Sequence, residues 1–180
     1  MLPSDIPRHR FTSQDVAAMV ASGILQEGSR VELIDGELIV PASEGPIHAY
    51  LGTKLARLLH TAYPEFLIRE GHPLVLTNYS EPEPDLVVAL GTEDTFRERH
   101  PTGPETALVI EIAHTSLTVD RAKAAMYAAS GVPHYWILNV EARVFEYFGA
   151  PVAGAYIVSR QDSTLKLPGS SVELSIAALL

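Results

Sequence analysis

The chain has 180 residues, of which 47% are hydrophobic and 19% charged, and its formal net charge at neutral pH is −9. This balance excludes a disordered chain, and no apolar stretch reaches the roughly 20 residues that a membrane helix needs. The chain has no cysteine, which excludes disulfides and thiolate ligands and leaves oxygen and imidazole as the donors available to a metal.

The N-terminal part of the sequence predicts a short helix and a hairpin. Thr12 and Asp15 have the spacing of a capping box, which begins a helix that Gly23 can end. The stretch VELIDGELIV, residues 31–40, consists of two β-prone runs around Asp35-Gly36. That dipeptide favours a type I′ turn, so the stretch predicts a β-hairpin.

The middle of the sequence predicts a helix followed by strands. Apolar residues at helical spacing predict a helix over 46–62. Two strands are predicted at 66–70 and 73–77. The runs DLVVAL (85–90) and ALVIEI (107–112) are apolar throughout, which is typical of strands covered on both faces.

The C-terminal part predicts a helix over 118–130, with Thr118 as its N-cap and Gly131 as its stop. It also predicts three strands and a final short helix. The strands are 134–140 and 143–149, which form a hairpin, and 155–159. One long helix therefore separates the two central strands from the closing hairpin. This order indicates an α/β (α+β) domain with a mixed sheet, which we expect to span residues 1–180 and to be cytoplasmic.

Three carboxylates and one lysine in this order suggest a metal site. Asp85 begins one buried run, Glu111 lies within another, Glu32 lies in a third β-prone run, and Lys123 follows on the next helix. If the strands are neighbours, these groups converge, and hard oxygen ligands of this kind suit Mg²⁺ or Mn²⁺. Each residue also has an ordinary interpretation. Asp85 could cap a strand, Glu32 could lie on a solvated edge, and Lys123 could pair with Asp120 at the surface.

The order Pro84-Asp85, Glu111 and Lys123 resembles the PD-(D/E)xK nuclease pattern. Several blocks between about residues 30 and 148 make the chain similar to the restriction-endonuclease-like Uma2 family. Those blocks are VELIDGELIV, His48 at the start of a helix, SEPEPDLVVA, RHPTGPETALVIEIAHTSLTVDR and KAAMYAASGVPHYWILNV.

The resemblance implies a restriction-endonuclease-like core, in which helices flank a mixed central sheet, and a Mg²⁺-dependent endonuclease that hydrolyses DNA. It implies Asp85 and Glu111 as metal ligands, Glu32 as an additional acid, and Lys123 near the scissile phosphate. It also implies a histidine near the site, which is His48 at the start of the predicted helix over 46–62. We expect a homodimer, because two DNA strands need two sites.

The chain departs from the family pattern after the second acid. Ala113 occupies the position of the usual in-strand lysine, and His114 stands where a small polar residue is common. The segment from Asp120 to Lys123 is one residue short, which would rotate a helical side chain by roughly 100°. We therefore keep two other hypotheses, a catalytically silent dimeric domain that binds a partner and a hydrolase of small phosphodiesters. The acidic chain favours both over a DNA enzyme.

Four further residues are candidate accessories to the site. His114 could hydrogen-bond a ligand or a phosphate, and Asp120 begins the segment that carries the lysine. His48 could lie near the site, or it could be a structural residue that hydrogen-bonds at the start of its helix. Tyr127 follows Lys123 by four residues, so it shares the same helical face and is expected to pack over the lysine stem. The acids before Asp85, Glu81 and Glu83, are interpreted as a solvated approach to the strand.

Overall fold

The computed structural model describes residues 6–26, 28–41 and 43–180. The helices are α1 (Ser13–Ala21), α2 (Pro46–Ala62), α3 (Leu117–Ala129) and α4 (Ile176–Leu179). The strands are β1 (Glu32–Ile34), β2 (Glu37–Ile39), β3 (Leu67–Glu70), β4 (Leu86–Ala89), β5 (Thr106–Ala113), β6 (His134–Asn139), β7 (Val144–Val152), β8 (Ala155–Asp162), β9 (Thr164–Lys166) and β10 (Glu173–Ser175). No helix in this part of the chain is long and apolar enough to cross a membrane.

A six-stranded mixed sheet forms the centre, in the order β3-β4-β5-β6-β7-β8. Strands β5 and β6 are parallel, and every other neighbouring pair in the sheet is antiparallel. Helix α3 makes the crossover that a parallel pair requires. The predicted mixed α+β fold is therefore confirmed.

The two faces of the sheet pack against different helices, because successive side chains of a strand point to opposite faces. Leu86 and Ile110 belong to the apolar cluster that includes α2 and the C-terminal segment. Val87 and Val109 belong to the cluster that includes Tyr127 of α3. Both faces are covered, which explains why β4 and β5 are apolar in every position except Glu111 and a threonine at the start of β5.

The predicted hairpin forms as β1 and β2, and contacts outside the six-stranded sheet position it. Asp35 and Gly36 have φ values of 50° and 80°, as a type I′ turn requires. A side chain at Gly36 would also bring a Cβ to 2.6 Å from the Cβ of Arg10. The backbone N–H of Glu81 donates to Leu33 at 2.7 Å, so the hairpin is attached to the segment that leads into β4.

One predicted strand, 73–77, is wrong. Leu74 donates to Pro82, Val75 to Pro101 and Leu76 to Ser80, so the segment spreads its backbone hydrogen bonds over three places. It makes isolated bridges and does not pair along one neighbouring strand. The backbone groups of this segment are therefore hydrogen-bonded in an irregular conformation, although its residues are β-branched and apolar.

The other predicted elements form, with one wrong cap and two unpredicted strands. The N-cap of α3 is Ser116 and not Thr118, because the Ser116 carbonyl accepts hydrogen bonds from the backbone N–H groups of Val119 and Asp120. Gly131 has φ 80° after the end of α3, as predicted. Strands β9 and β10 pair with each other in a short hairpin that the sequence did not predict.

Candidate active site

Asp85 and Glu111 lie side by side because of the register of two antiparallel strands. Leu86 is opposite Ile110, so Asp85, one residue before β4, lies beside Glu111. The backbone N–H of Asp85 lies 3.3 Å from Glu111 Oε2, and the backbone N–H of Ile112 donates to Asp85 Oδ2 at 2.6 Å. The backbone of the sheet therefore holds both carboxylates in place.

Glu111 points into the layer between the sheet and α3. Its neighbours on the same face, Val109 and Ala113, belong to the cluster that packs on α3, whereas Ile110 and Ile112 face α2. Glu111 is only 4% exposed. A carboxylate at such a position costs several kcal/mol unless it is paired, so its partners determine what it can do.

The ammonium of Lys123 lies between two buried carboxylates. Its Nζ donates to Glu111 Oε1 at 3.0 Å and lies 3.1 Å from Glu32 Oε2. The Glu32 oxygen has no aligned hydrogen-bond donor, so that second contact is one of charge. None of the three side chains is more than 8% exposed. The short Asp120–Lys123 segment therefore still directs the lysine into this group of acids.

Tyr127 contacts the same carboxylate one helical turn after Lys123. Its hydroxyl donates to Glu111 Oε1 at 3.1 Å. Complete burial raises the pKa of Tyr127 well above 10, so the hydroxyl keeps its proton and remains a donor. Helical spacing predicts only that Tyr127 lies near the lysine stem, and the hydrogen bond to Glu111 was not predicted.

His48, near the start of α2, approaches Asp85 from the other side. Its Nε2 lies 3.0 Å from Asp85 Oδ2, and its Nδ1 lies 3.5 Å from a carboxylate oxygen of Glu44. The hydrogen bond with Asp85 raises the pKa of His48, although burial opposes the rise. The contacts from His48 and the β5 backbone both use Oδ2 of Asp85, so Oδ1 is the oxygen left for a ligand.

Asp120 and His114 border the same space without joining the lysine contacts. The Ser116 hydroxyl donates to Asp120 Oδ2 at 2.5 Å, and the Tyr135 hydroxyl donates to the Asp120 carbonyl at 2.8 Å. His114 lines the cleft beside them. The surface pair of Lys123 with Asp120, the ordinary interpretation, is replaced by the contacts of Lys123 with Glu32 and Glu111.

The side chains around Lys123 carry more negative than positive charge, and this excess, together with burial, shifts their pKa values. Burial raises the pKa of Glu111 to about 8; the Lys123 ammonium opposes this rise and the charges of Asp85 and Asp120 add to it. Burial also raises the pKa of Asp120. Burial lowers the pKa of Lys123, but the charges of Glu111 and Glu32 outweigh it, so the net change is upward and the lysine stays protonated.

An open cleft of about 680 Å³ is lined by Glu32, His48, Asp85, Glu111, Asp120 and Lys123. Apolar residues of the β1–β2 hairpin, Ile34 and Ile39, form one wall. The start of α2 at Gly45 and the β5–α3 loop at His114 form others. A volume of this size is typical of sites that bind a small molecule or one unit of a polymer.

The sequence of the chain matches the family model of Uma2, described as "Putative restriction endonuclease", over residues 16–178. The chain belongs to the Uma2 family. A solved crystal structure from Anabaena variabilis, described as "a putative nuclease belonging to DUF820", is similar to this Uma2 chain with a TM-score of 0.75. The two are 14% identical, and the match covers 94% of this chain and 97% of that one. At this identity the likeness concerns the fold. The curated proteins include no match to the chain.

The donors in the Uma2 cleft suit a divalent metal ion. Asp85 and Glu111 are adjacent, the surrounding acids leave an excess of negative charge, and Glu32 Oε2 is buried without a hydrogen bond. Within 6–26, 28–41 and 43–180, no three Asp, Glu or His side chains are close enough to form a complete metal-binding group. Mg²⁺ typically takes one or two carboxylates and fills its other positions with water and substrate phosphate, so a pair of acids fits this ion.

One acid of the Uma2 cleft was misread from the sequence. Glu83 lines the cleft, and burial together with the charge of Glu32 raises its pKa, so it is not part of a solvated approach. The signal was present in the sequence, because Glu81, Glu83 and Asp85 alternate with prolines and alternate residues of an extended segment point the same way. His72 also lines the cleft and was not singled out.

Proposed function

We propose that this protein is an endonuclease that hydrolyses phosphodiester bonds in DNA with the help of Mg²⁺ or Mn²⁺. The observation that carries the proposal is the adjacency of Asp85 and Glu111 with the Lys123 ammonium 3.0 Å from Glu111, in an open cleft. Membership of Uma2 supports nuclease chemistry in general.

Asp85 and Glu111 would hold the ion, and Glu32 would assist through water. A divalent cation held there would polarise the phosphodiester and lower the pKa of the attacking water. Lys123 is protonated, and its ammonium would stabilise the negative charge that develops on the phosphate. The hydrogen bonds from Ile112 and Tyr127 would keep the two carboxylates from turning away as the substrate enters.

The test is DNA cleavage with Mg²⁺ or Mn²⁺ and with EDTA, using single-stranded and duplex substrates. Asp85→Asn and Glu111→Gln are expected to lower the cleavage rate by about 100-fold or more. Asp94→Asn, an equivalent change at an exposed loop acid, is the matched control and should cleave like the wild type. The proposal fails if no metal-dependent cleavage is found or if Asp85→Asn cleaves as fast as the control.

Calorimetric titration with Mn²⁺ separates this proposal from a silent domain. Glu111→Gln should abolish binding that the wild type shows, because the carboxylate that coordinates is removed. If wild-type protein binds no Mn²⁺, the acids only neutralise Lys123, and the chain is a nuclease fold without a metal site.

The charge of the chain favours a second candidate, a hydrolase of small phosphodiesters. A net charge of −9 repels a polymer of phosphates, whereas a small substrate meets only the field inside the cleft. The cleft volume of about 680 Å³ also suits a small substrate. Turnover of a model phosphodiester that exceeds cleavage of DNA, with both lost in Glu111→Gln, would select this candidate.

Cutting both strands of a duplex needs two active sites, so a symmetric homodimer is part of the endonuclease proposal. Light scattering on the purified protein, with and without DNA, measures the oligomeric state. A monomer under both conditions would restrict the proposal to cleavage of one strand at a time.

A further inference from the structure

A second cavity, of about 440 Å³, lies on the other face of the sheet from the candidate active site. Tyr147 packs with the cluster that includes α2, whereas the candidate active site lies on the α3 side. The cavity is bounded by the start of β6, by β7 and β8, and by the turn that follows β9. Its lining consists of His134, Tyr147, Arg160, Lys166 and residues 167–170.

The charge of this cavity is opposite to that of the whole chain. Its lining contains two cations and, among the residues that the structure describes, no acid. The chain has 13 lysines and arginines. Among the residues that the structure describes, the lysines and arginines that form ion pairs with carboxylates are Arg8, Arg10, Arg30, Arg97, Arg99, Arg121 and Lys123. Arg160 and Lys166 are outside that group. Glu173 is opposite Lys166 in the β9–β10 ladder, but the two do not form an ion pair.

The cations lie beside a tyrosine whose position is closely determined. The guanidinium of Arg160 lies 5.0 Å from the centre of the Tyr147 ring. The Tyr147 hydroxyl lies 3.2 Å from Nδ1 of His134. It also lies directly over Gly149, where any Cβ would overlap it. Glycine at this position therefore makes room for the hydroxyl, and the ring in turn supports the guanidinium through a cation–π contact.

The turn after β9 adds a further donor. The Ser170 hydroxyl oxygen accepts a hydrogen bond from the backbone N–H of Val172 at 3.1 Å, so its hydrogen is free for another acceptor. The turn is itself attached to the core, because the Tyr63 hydroxyl donates to the Pro168 carbonyl at 2.7 Å. The donors of the cavity therefore come from two strands and an anchored turn.

We propose that this cavity binds an oxyanion, and specifically a phosphate group. Arg160 provides the planar set of donors that matches two phosphate oxygens, Lys166 provides a point charge, and Ser170 provides a neutral donor. The cavity is wide open to solvent, so the phosphate that it binds can be part of a nucleotide or of a nucleic-acid backbone. The site is separate from the acids of the cleft and does not depend on the proposed endonuclease activity.

Calorimetric titration tests the proposal with inorganic phosphate, a mononucleotide and a short single-stranded oligonucleotide, all in EDTA so that cleavage plays no part. Saturable binding is expected for at least one of them. Comparing the affinities for the three ligands identifies the source of the phosphate. If the site is one for a mononucleotide, it binds the mononucleotide as tightly as the oligonucleotide. Arg160→Gln should weaken binding by about tenfold or more, which is the effect of losing a charge-assisted hydrogen bond.

Arg57→Gln is the matched control, because it removes the same charge from an exposed position on α2. It should bind like the wild type. The proposal is overturned if none of the three ligands binds, or if the two variants lose affinity equally, since an equal loss would reflect net charge only. Both arginines are on the surface, so neither substitution is expected to prevent folding.

Discussion

Replacing Lys123 with Met tests the charge arrangement at the centre of the cleft. Methionine keeps an unbranched side chain of similar size and removes only the ammonium. Glu32 and Glu111 then face each other without a cation between them, in a place where water reaches little of either side chain. We expect a loss of stability that grows as the pH rises.

The size of this loss follows from the distances and the burial. The ammonium is 3.0 Å and 3.1 Å from the two carboxylates, and none of the side chains is more than 8% exposed. Removing one partner of such a buried pair costs about 3–5 kcal/mol when the remaining acids are ionised. That is a large fraction of the roughly 5–15 kcal/mol that stabilises a typical domain.

The pH dependence follows from Glu111. Its pKa is raised from the ordinary value of 4.5 to about 8, so the folded state binds a proton that the unfolded state releases between these values. This contribution to stability is complete below pH 4.5 and is lost as the pH rises through 8. Without Lys123 the pKa of Glu111 rises further, so the variant continues to lose stability where the wild type no longer does.

The assay is urea denaturation in EDTA, followed by the fluorescence of Trp136, which is the single tryptophan and is fully buried. Lys123→Met should lose about 3–5 kcal/mol near pH 9 and clearly less near pH 6. The exposed Lys166→Met is the matched control and should stay within about 0.5 kcal/mol of the wild type. A loss below about 1 kcal/mol near pH 9, or an equal loss at both pH values, would refute the reasoning.

Four further substitutions test other parts of the structure. Tyr127→Phe removes the donor to Glu111 and should cost about 1.5–3 kcal/mol in urea denaturation and weaken Mn²⁺ binding by about tenfold; unchanged Mn²⁺ affinity would mean that the hydroxyl does not position the carboxylate. Glu111→Gln removes the carboxyl group whose pKa is raised, so the variant, measured in EDTA, should not lose the stability that the wild type loses between pH 4.5 and about 8. Parallel plots of unfolding free energy against pH for the two proteins would contradict this. Gly149→Ala brings a Cβ onto the Tyr147 hydroxyl and should cost about 1–3 kcal/mol in urea denaturation and weaken phosphate binding; unchanged stability and binding would show that the hydroxyl does not need this space. Thr12→Ala removes the N-cap of α1 and should destabilise that helix by about 1 kcal/mol, seen as faster amide exchange; equal exchange would show that the cap contributes nothing.

Local chemistry made several elements predictable. Thr12 and Asp15 form the predicted capping box, and α2 has the bounds 46–62 that its apolar spacing indicated. Asp35-Gly36 forms the predicted turn because both residues tolerate positive φ. In each case the interactions that determine the element lie within a few residues of each other, so they can be read along the chain.

Elements that depend on distant partners were less predictable. The segment 73–77 has the composition of a strand, yet its backbone groups bond to residues 80, 82 and 101. Strands β9 and β10 were missed because their sequences are short and polar, and they pair only with each other. Composition shows that a segment suits a strand, but whether it finds a partner along its whole length depends on the rest of the fold.

The identity of the site acids could be predicted, but their contacts could not. An acid inside the apolar run of β5 requires a partner wherever it lies, and the resemblance to the Uma2 family indicated Asp85, Lys123 and Glu32 as its neighbours. Tyr127 shows the limit, because its spacing from Lys123 places it on the same helical face but does not predict that its hydroxyl donates to Glu111.

The sequence by itself determined the order of the elements, the family and the set of acids and one lysine that the proposed chemistry needs. Only the tertiary structure decided that Asp85 lies beside Glu111, because that depends on the register of β4 with β5. The docking of the hairpin decided that Glu32 reaches Lys123, and the packing of α3 decided where the ammonium lies. Charges interact over a few ångströms in space, whereas the sequence gives only their separation along the chain. The distance between two charged groups is known only when the fold is known.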